Sequence, residues 1–247
     1  MPHFKSISYI HFDTIDSTNT WAKNNAKTLD PAQVTCITAL EQTGGRGRWL
    51  RKWISPKGQN IYATIYFCLC KDCKQLSNVG QILSLSCAKV LKSKGFFPQI
   101  KWPNDLLLEK KKVAGVLCET ISFEDRIGVA LGIGLNINMS KQLLDSIDQP
   151  ATSLAQLSGQ TWTVEQILNP LLQQFIKDLN LLIKHGFEAF RQNYEELLAY
   201  KGQVISCNDG LHSLKGICHS VNSDGRLNLL LPSGQMQTLS AGEVKFQ

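Results

Sequence analysis

Two short segments of the 247-residue sequence combine residue types that bind anions. The first, Gly44-Gly45-Arg46-Gly47-Arg48, sets two arginines among glycines. Glycines let a backbone approach a ligand closely, and guanidinium groups match phosphate or carboxylate oxygens with paired N–H groups. The GxxxxGK[ST] order of a Walker loop is missing. Taken alone, the segment fits a ligand-binding loop and a flexible basic loop in solvent equally well.

The second segment, Lys101-Trp102-Pro103-Asn104-Asp105, brings a lysine, an amide and a carboxylate together at the end of a predicted strand. Lys101 could neutralise an oxyanion, Asn104 could bind a purine edge, and Asp105 could bind Mg²⁺. An ordinary strand-end turn with a capping aspartate explains the same residues, and for the segment in isolation it is the favoured interpretation.

Two further segments are weaker signals. Lys112-Val113-Ala114-Gly115 starts a strand of small residues with a lysine, which is the last residue of the basic run 110–112. Gly132-Ile133-Gly134-Leu135-Asn136-Ile137-Asn138 places two glycines inside an apolar strand. Such glycines indicate close approach of a ligand or of another backbone, and packing against a helix explains them equally well.

In this order, and preceded by Asp16-Ser17-Thr18-Asn19, the four segments resemble the biotin–protein ligase family. The matching stretches are DSTNTWA, EQTGGRGR followed by RKW and SPKGQNIY, KWPNDLLL, KVAGVLCE and GIGLNIN. The resemblance is strong over roughly residues 8–140, and the C-terminal part looks like the small SH3-like domain of that family.

The resemblance implies an α+β protein with two domains. Residues 1–199 would form a biotin/lipoate ligase-like catalytic domain, a mixed β-sheet flanked by helices, and residues 200–247 a small C-terminal SH3-like β-barrel. It also implies a two-step acyl transfer. Biotin and ATP with Mg²⁺ would form biotinyl-5′-AMP, and a lysine of the biotin carboxyl carrier domain of acetyl-CoA carboxylase would then accept the biotinyl group.

The resemblance also implies a role for each matching residue. The expected contacts to the ureido and ring region of biotin are Ser17, Thr18, Asn19 and Gln42. The acyl phosphate would be enclosed by Gly45, Arg46, Gly47 and Arg48. Lys112 would contact the biotin carboxylate or the α-phosphate, and the expected catalytic residues are Arg48, Lys101 and Lys112, because fixed positive charge offsets the repulsion between the two anions.

Nucleotide and metal contacts complete this set. Asn104 and Asn136 would approach adenine, Trp53 would shield the adenylate from water, and Asp105 is the expected metal ligand. Simpler alternatives remain for two residues. Ser17 fits a helix cap, and Asn136 fits a polar group that ends a strand.

Two departures from the family pattern change the expectation. Trp49-Leu50 fill the middle of the loop, so Leu50 stands where the family often has a glycine. No helix-turn-helix precedes the first predicted strand, and we expect no DNA-binding domain and no repressor role. The resemblance leaves a homodimer open.

Composition bounds the remaining possibilities. Hydrophobic residues make up 43% and charged residues 19%, which excludes a disordered chain. The net charge of +6 is local, since no acid falls between Glu41 and Asp72. No apolar run approaches the ~18 residues of a membrane span, and with no secretory signal we expect a cytoplasmic protein. The eight cysteines and five histidines match no common zinc spacing, so no metal cage is predicted from them.

Hydrophobic periodicity predicts the elements that must position these residues. Predicted strands are 7–13, 34–40, 60–70, 99–102, 106–108, 113–119, 127–136, 203–207, 214–221, 226–231 and 235–239. A first helix is predicted to start near Trp21, and three more cover 76–92, 164–183 and 187–198. Pro170 would either open or kink the helix at 164–183. Residues 42–59 form a predicted long loop, with four glycines and one proline.

Two rival functions differ in class. A lipoate–protein ligase shares the fold, but the KWPND and GRGR segments speak against it. A nucleic-acid-binding module would explain arginines interleaved with Trp49 and Trp53 and a sequence pI of 8.9. The near-neutral charge and few aromatics of the predicted barrel weaken that alternative.

Overall fold

A seven-stranded mixed sheet forms the larger part of the molecule. The computed structural model describes residues 4–208 and 213–246. The strands are β1 Ile7–Ile15, β2 Val34–Gln42, β3 Ile61–Cys70, β4 Gln99–Lys101, β5 Asp105–Leu108, β6 Lys111–Ser122 and β7 Arg126–Leu135. They lie in the order β1-β2-β3-β7-β6-β5-β4. Only β1 and β2 run parallel, with Ile7 opposite Val34, and the mixed sheet expected from the sequence is confirmed.

The sheet carries apolar side chains on both faces, because successive residues of a strand point to opposite sides. On β3, Ile65 and Phe67 belong to the main core, whereas Tyr66 and Cys68 belong to a smaller core under helix α1. Helix α1 spans Thr18–Asn24. The main core is covered by α2 (Val79–Ser93) and α5 (Glu165–His185).

Helix α5 begins before the proline that was expected to open or kink it. Pro170 lies inside the helix, five residues after its start at Glu165. An ion pair with the buried Asp178 fastens α5 to α2, and Lys89 Nζ lies 2.8 Å from Asp178 Oδ1. The structure adds two short helices that periodicity did not predict, α3 (Lys141–Asp145) and α4 (Leu154–Ser158), and ends the helical part with α6 (Glu188–Glu196).

A second sheet of five antiparallel strands follows, which fits the expected SH3-like domain. The strands are β8 Val204–Asn208, β9 Ser213–Val221, β10 Leu227–Leu230, β11 Met236–Leu239 and β12 Glu243–Phe246, in the order β11-β10-β9-β8-β12. The sequence did not predict β12. Residues 209–212, between β8 and β9, lie outside the described residues.

This small sheet packs firmly on the larger part. Trp102 Nε1 and Gln81 Nε2 both donate to the carbonyl oxygen of Gly225, at 3.0 and 2.8 Å. One apolar core contains side chains from both sheets. The division into two domains at residue 199 therefore stays a prediction. Within the described ranges, no helix has the length and apolar character to cross a membrane.

Candidate active site

The predicted site residues converge on one cleft. It lies between the start of α1, the loop after β2, the faces of β6 and β7, and the Gly242 turn of the small sheet. Twelve of the fourteen predicted residues line it: Ser17, Thr18, Asn19, Gln42, Arg46, Gly47, Arg48, Trp53, Lys101, Asn104, Asp105 and Lys112. A second cavity adjoins the cleft and shares Trp53, Lys101, Asp105 and Lys112 with it. We call the cleft the acid cavity, after the carboxylic acid that the resemblance leads us to expect there, and the second the outer cavity.

The far end of the acid cavity is a hydrogen-bonded frame at the start of α1. Ser17 caps the helix, accepting from the Thr20 N–H at 3.4 Å, so the cap expected as its simpler role is confirmed. The backbone N–H and the hydroxyl of Thr18 both donate to Gln42 Oε1, at 2.9 and 3.1 Å. Thr64 lies behind them, with its hydroxyl 2.8 Å from Thr18 Oγ1. This frame presents hydroxyl and amide groups that suit a polar, uncharged ring.

Asn19 lines the cavity, but its amide is already engaged by the protein. Its Nδ2 donates to Glu119 Oε2 at 3.0 Å and to the Ala130 carbonyl oxygen at 3.3 Å, and its Oδ1 accepts from Thr64 at 2.5 Å. A Cβ on Gly132 would lie 2.4 Å from that Oδ1. Gly132 therefore makes room for a side chain of the protein, and a biotin contact through Asn19 stays a prediction.

The glycine–arginine loop folds into a narrow hairpin-like turn. The backbones of Arg46 and Lys52 form an isolated antiparallel β-bridge, and the Trp53 N–H donates to the Gly45 carbonyl oxygen at 2.9 Å. Gly45 lines neither cavity. A Cβ there would lie 2.6 Å from Ser55 Oγ, so this glycine is needed for the close approach of two loop segments.

Each arginine of the loop has a partner in the protein. Arg46 donates to Thr20 Oγ1 at 2.7 Å and to both oxygens of Glu119 at 3.3 Å. Arg48 donates to the Gly242 carbonyl oxygen at 3.2 Å. Arg51 forms a two-point ion pair with Glu243, at 2.5 and 2.6 Å, which holds the pKa of that carboxyl below its usual value. The loop thus lies against both the helix and the small sheet.

Positive charge also gathers at the wall shared by the two cavities. Lys112 Nζ lies 2.8 Å from Asp105 Oδ2 and 5.4 Å from the centre of the Trp53 ring. No ion pair within the described residues involves Lys101. Burial lowers the pKa of Lys101, and the neighbouring charge of Lys112 adds to that effect while Asp105 opposes it.

The two asparagines expected near adenine lie in different cavities. Asn104 lines the acid cavity, and its amide donates to the carbonyl oxygen of Val116 on β6. Asn136 lines the outer cavity and donates to the Thr152 carbonyl oxygen at 3.0 Å, as the strand-end alternative expects. Both side chains hold backbone segments together, and their contact with a nucleotide stays a prediction.

Trp53 separates the two cavities. Its ring packs against Gly134, where a Cβ would lie 2.3 Å from the indole. Its Nε1 is buried and has no acceptor in the described part of the chain. Gly134, like Gly132, therefore accommodates a side chain of the protein.

The described part of the chain holds no metal site built from protein ligands alone. Among residues 4–208 and 213–246, no group of three or more His, Cys, Asp or Glu side chains could hold an ion. Asp105 offers one carboxylate at the shared wall, and it is paired with Lys112. This arrangement fits Mg²⁺ only as an ion whose remaining ligands are substrate phosphates and water, which is a usual mode for that ion.

Sequence reasoning missed the partners that hold the charged residues, above all Glu119 and Glu243. Glu119 ends the KVAGVLCE stretch, and strand alternation places it on the same face as Gly115 and Leu117, which line the cleft. That alternation was the available signal. Glu243 carried none, because its contact with Arg51 joins residues 192 positions apart.

Comparison of the sequence with known proteins finds relatives over most of its length. The sequence model of the biotin/lipoate A/B protein ligase family matches residues 11–138. The bifunctional ligase/repressor BirA of Bacillus spizizenii is 33% identical over 238 residues, covering 94% of this chain and 72% of that protein. The biotin–[acetyl-CoA-carboxylase] ligase of Paracoccus denitrificans is 31% identical, covering 94% and 97%.

A solved structure shows the same fold. Biotin protein ligase from Aquifex aeolicus, in complex with biotin and ATP, superimposes with a TM-score of 0.81 at 28% identity, covering 96% of this chain and 97% of that one. The fold and the cation-lined cleft define the protein as a ligase enzyme. The chain belongs to the biotin/lipoate A/B protein ligase family.

Proposed function

We propose that this protein is an ATP-dependent ligase that activates biotin as biotinyl-5′-AMP. It then transfers the biotinyl group to a lysine of the biotin carboxyl carrier domain of acetyl-CoA carboxylase. One observation carries the proposal: Arg46, Arg48, Lys101 and Lys112 line a cleft whose far end is the polar frame around Thr18 and Gln42. The names of the relatives in Bacillus and Paracoccus support the same activity.

The first half-reaction joins two anions. A carboxylate oxygen of biotin attacks the α-phosphorus of ATP, the bond to the bridging oxygen breaks, and pyrophosphate leaves with the electron pair. Fixed cations that face the developing charge stabilise this step without rearranging. Lys112 and Lys101 stand on the shared wall, which is where a carboxylate from the acid cavity would meet a phosphate from the outer cavity.

The second half-reaction moves the acyl group. The neutral ε-amine of the acceptor lysine attacks the acyl carbon, AMP leaves with the electron pair, and the amine loses a proton. Water competes as a nucleophile until the amine arrives, so the adenylate must be shielded. The loop supplies the shield in this proposal, because Arg46, Arg48 and Arg51 already hold it across the cleft.

Mg²⁺ would arrive with the nucleotide. Asp105 is the residue that would meet it, and the ion would supply additional positive charge on the phosphate oxygens. The lysines of the wall remain the groups that this chain itself places there.

The test is biotin-dependent exchange of labelled pyrophosphate into ATP, with lipoate and octanoate as parallel substrates. We expect exchange with biotin alone, followed by labelling of a purified carrier domain. Exchange with lipoate instead would move the protein to the lipoate branch of the family. Exchange with none of the three acids would contradict the proposal.

A further inference from the structure

Glu119 joins two separate parts of the site. Its carboxylate accepts a hydrogen bond from Lys23 Nζ at 2.6 Å and from Asn19 Nδ2 at 3.0 Å, both on helix α1. Both of its oxygens also lie 3.3 Å from one guanidinium nitrogen of Arg46, on the glycine–arginine loop. A single side chain of β6 therefore connects the helix that starts the acid cavity with the loop that covers it.

The three contacts of Glu119 differ in length and in how firmly their partners are held. Lys23 makes the shortest contact and Asn19 is itself fixed by Ala130 and Thr64, so α1 holds the carboxylate in place. Arg46 makes the longest contact, shared between the two oxygens. Glu119 thus has two anchors on α1 besides Arg46, whereas the Arg46 guanidinium is held by Glu119 and Thr20.

Charge explains why a carboxylate is tolerated beside an anion-binding cleft. Lys23 and Arg46 together carry two positive charges, so the cluster keeps a net positive charge with Glu119 ionised. Burial alone would raise the pKa of Glu119, but the hydrogen bonds from Lys23 and Asn19 and the charge of Arg46 hold that pKa below its usual value. The carboxylate is about one fifth exposed, with 22% of its side-chain surface accessible, which limits competition from water.

We propose that Glu119 is a positioning residue of the site. Anchored by Lys23 and Asn19, it holds the Arg46 guanidinium at the mouth of the acid cavity and fixes the start of the loop in the free protein. The consequence for catalysis rests on the proposed function, whereas the fixing of the loop does not.

Limited trypsin digestion of the full chain tests the fixing of the loop. The loop offers cleavage after Arg46, Arg48, Arg51 and Lys52. We expect E119Q to raise the rate of cleavage there about fivefold without ligand, because opening the loop then breaks one ion pair fewer. E188Q is the matched control, since it removes a carboxylate paired with Arg191 on the remote helix α6. Equal loop cleavage in E119Q and E188Q would overturn the proposal.

A second variant protects this test against a folding defect. K23M removes one of the two anchors and leaves both Asn19 and the Glu119–Arg46 pair, so it should raise loop cleavage by less than E119Q does. Thermal unfolding of each variant shows whether the chain is still folded at the digestion temperature. A K23M variant that is folded and cleaved as fast as E119Q would contradict a direct hold of Glu119 on Arg46.

Pyrophosphate exchange tests the catalytic consequence. We expect E119Q to lower kcat/KM for biotin about 10- to 100-fold, the range for loss of one charge-assisted hydrogen bond. The double variant E119Q/R46A should be no slower than R46A alone, because both changes remove the same placed guanidinium. Fully additive losses would overturn positioning through Arg46. Absence of exchange in the wild-type protein would refute the proposed function, and the digestion result would still decide the hold on the loop.

Discussion

Lys112 Nζ lies 2.8 Å from Asp105 Oδ2, so the two side chains form an ion pair. Lys112 was expected to contact an anion and Asp105 a cation. A phosphate that carries its own cation would satisfy both groups at once, because the phosphate would bind Lys112 and the cation would bind Asp105. The ion pair thus holds both residues together at the wall that the two cavities share.

The first prediction concerns the charge of Lys112. Replacing it with methionine, in K112M, removes a fixed cation from the point where the carboxylate and the α-phosphate would meet. We expect the maximal rate of pyrophosphate exchange to fall about 10²–10³-fold, the usual cost of losing one preorganised charge or donor. K112R keeps the charge and should recover part of the rate. Equal rates in K112M and K112R would show that charge at this position is not what matters.

The local elements could be predicted from the sequence because their apolar patterns are strong. The run that forms β3 is apolar over nearly its whole length, and the prediction of residues 60–70 agrees with Ile61–Cys70. Ser17 shows the same for helix starts, since a serine before a helical pattern is a frequent cap. Convergence of the motifs on one cleft was likewise expected from the resemblance.

What the sequence did not show depends on contacts between distant residues. Strand β12 has four residues and pairs with β8, so its existence depends on the sheet rather than on local pattern. The contacts of Arg48 with Gly242 and of Arg51 with Glu243 each span more than 190 residues. The glycines of β7 were interpreted as room for a ligand, for another backbone or for packing against a helix. Gly132 packs against Asn19 of helix α1, in line with the third alternative, whereas Gly134 packs against Trp53 of the loop.

The second prediction concerns the cost of burying Lys101. Its pKa is lowered chiefly by burial, so the ammonium form is less favourable in the folded protein than in water. K101M should therefore be at least as stable as the wild-type protein at pH 7, while exchange falls about 10²–10³-fold. Stability and activity would change in opposite directions.

The pH dependence of this effect has a defined sign. The unfolded chain holds the Lys101 proton more tightly than the folded chain. The destabilisation of the wild-type protein by this buried ammonium group is therefore complete at pH values below the lowered pKa. It disappears as the pH rises above the ordinary lysine value of 10.5. Chemical denaturation at pH 7 and at alkaline pH measures it, with K94M at an exposed lysine as control. A K101M protein clearly less stable than wild type at pH 7 would contradict the argument.

The third prediction concerns the contact between Gly134 and Trp53. A Cβ at position 134 would lie 2.3–2.6 Å from three atoms of the indole, so G134A must displace the ring. We expect a loss of about 1–3 kcal/mol in the free energy of unfolding, as for other overpacked sites. Because the steric conflict is with the indole, the loss caused by G134A should be much smaller in a W53A protein, where it is measured as the difference between W53A and G134A/W53A.

Gly80 on α2 provides the matched glycine. Its added Cβ would lie 3.7 Å from Val116 Cγ1, an ordinary contact, so G80A should stabilise the helix by about 0.5–1 kcal/mol. Urea denaturation of these variants, together with tryptophan emission, measures both effects. An unchanged stability and emission in G134A would show that Trp53 does not lie on Gly134 in solution.

The fourth prediction concerns Leu50, which stands where the family often has a glycine. Trp49 and Leu50 both have φ of 58°, in the left-handed region that disfavours side chains, and Leu50 is 87% exposed. L50G removes a Cβ from a strained position and loses no buried contact. We expect L50G to be more stable than L50A by about 1 kcal/mol, the reverse of the usual order of glycine and alanine. Denaturant titration of both variants at one pH measures the difference, and an L50A protein as stable as L50G would show that this residue leaves the left-handed region in solution.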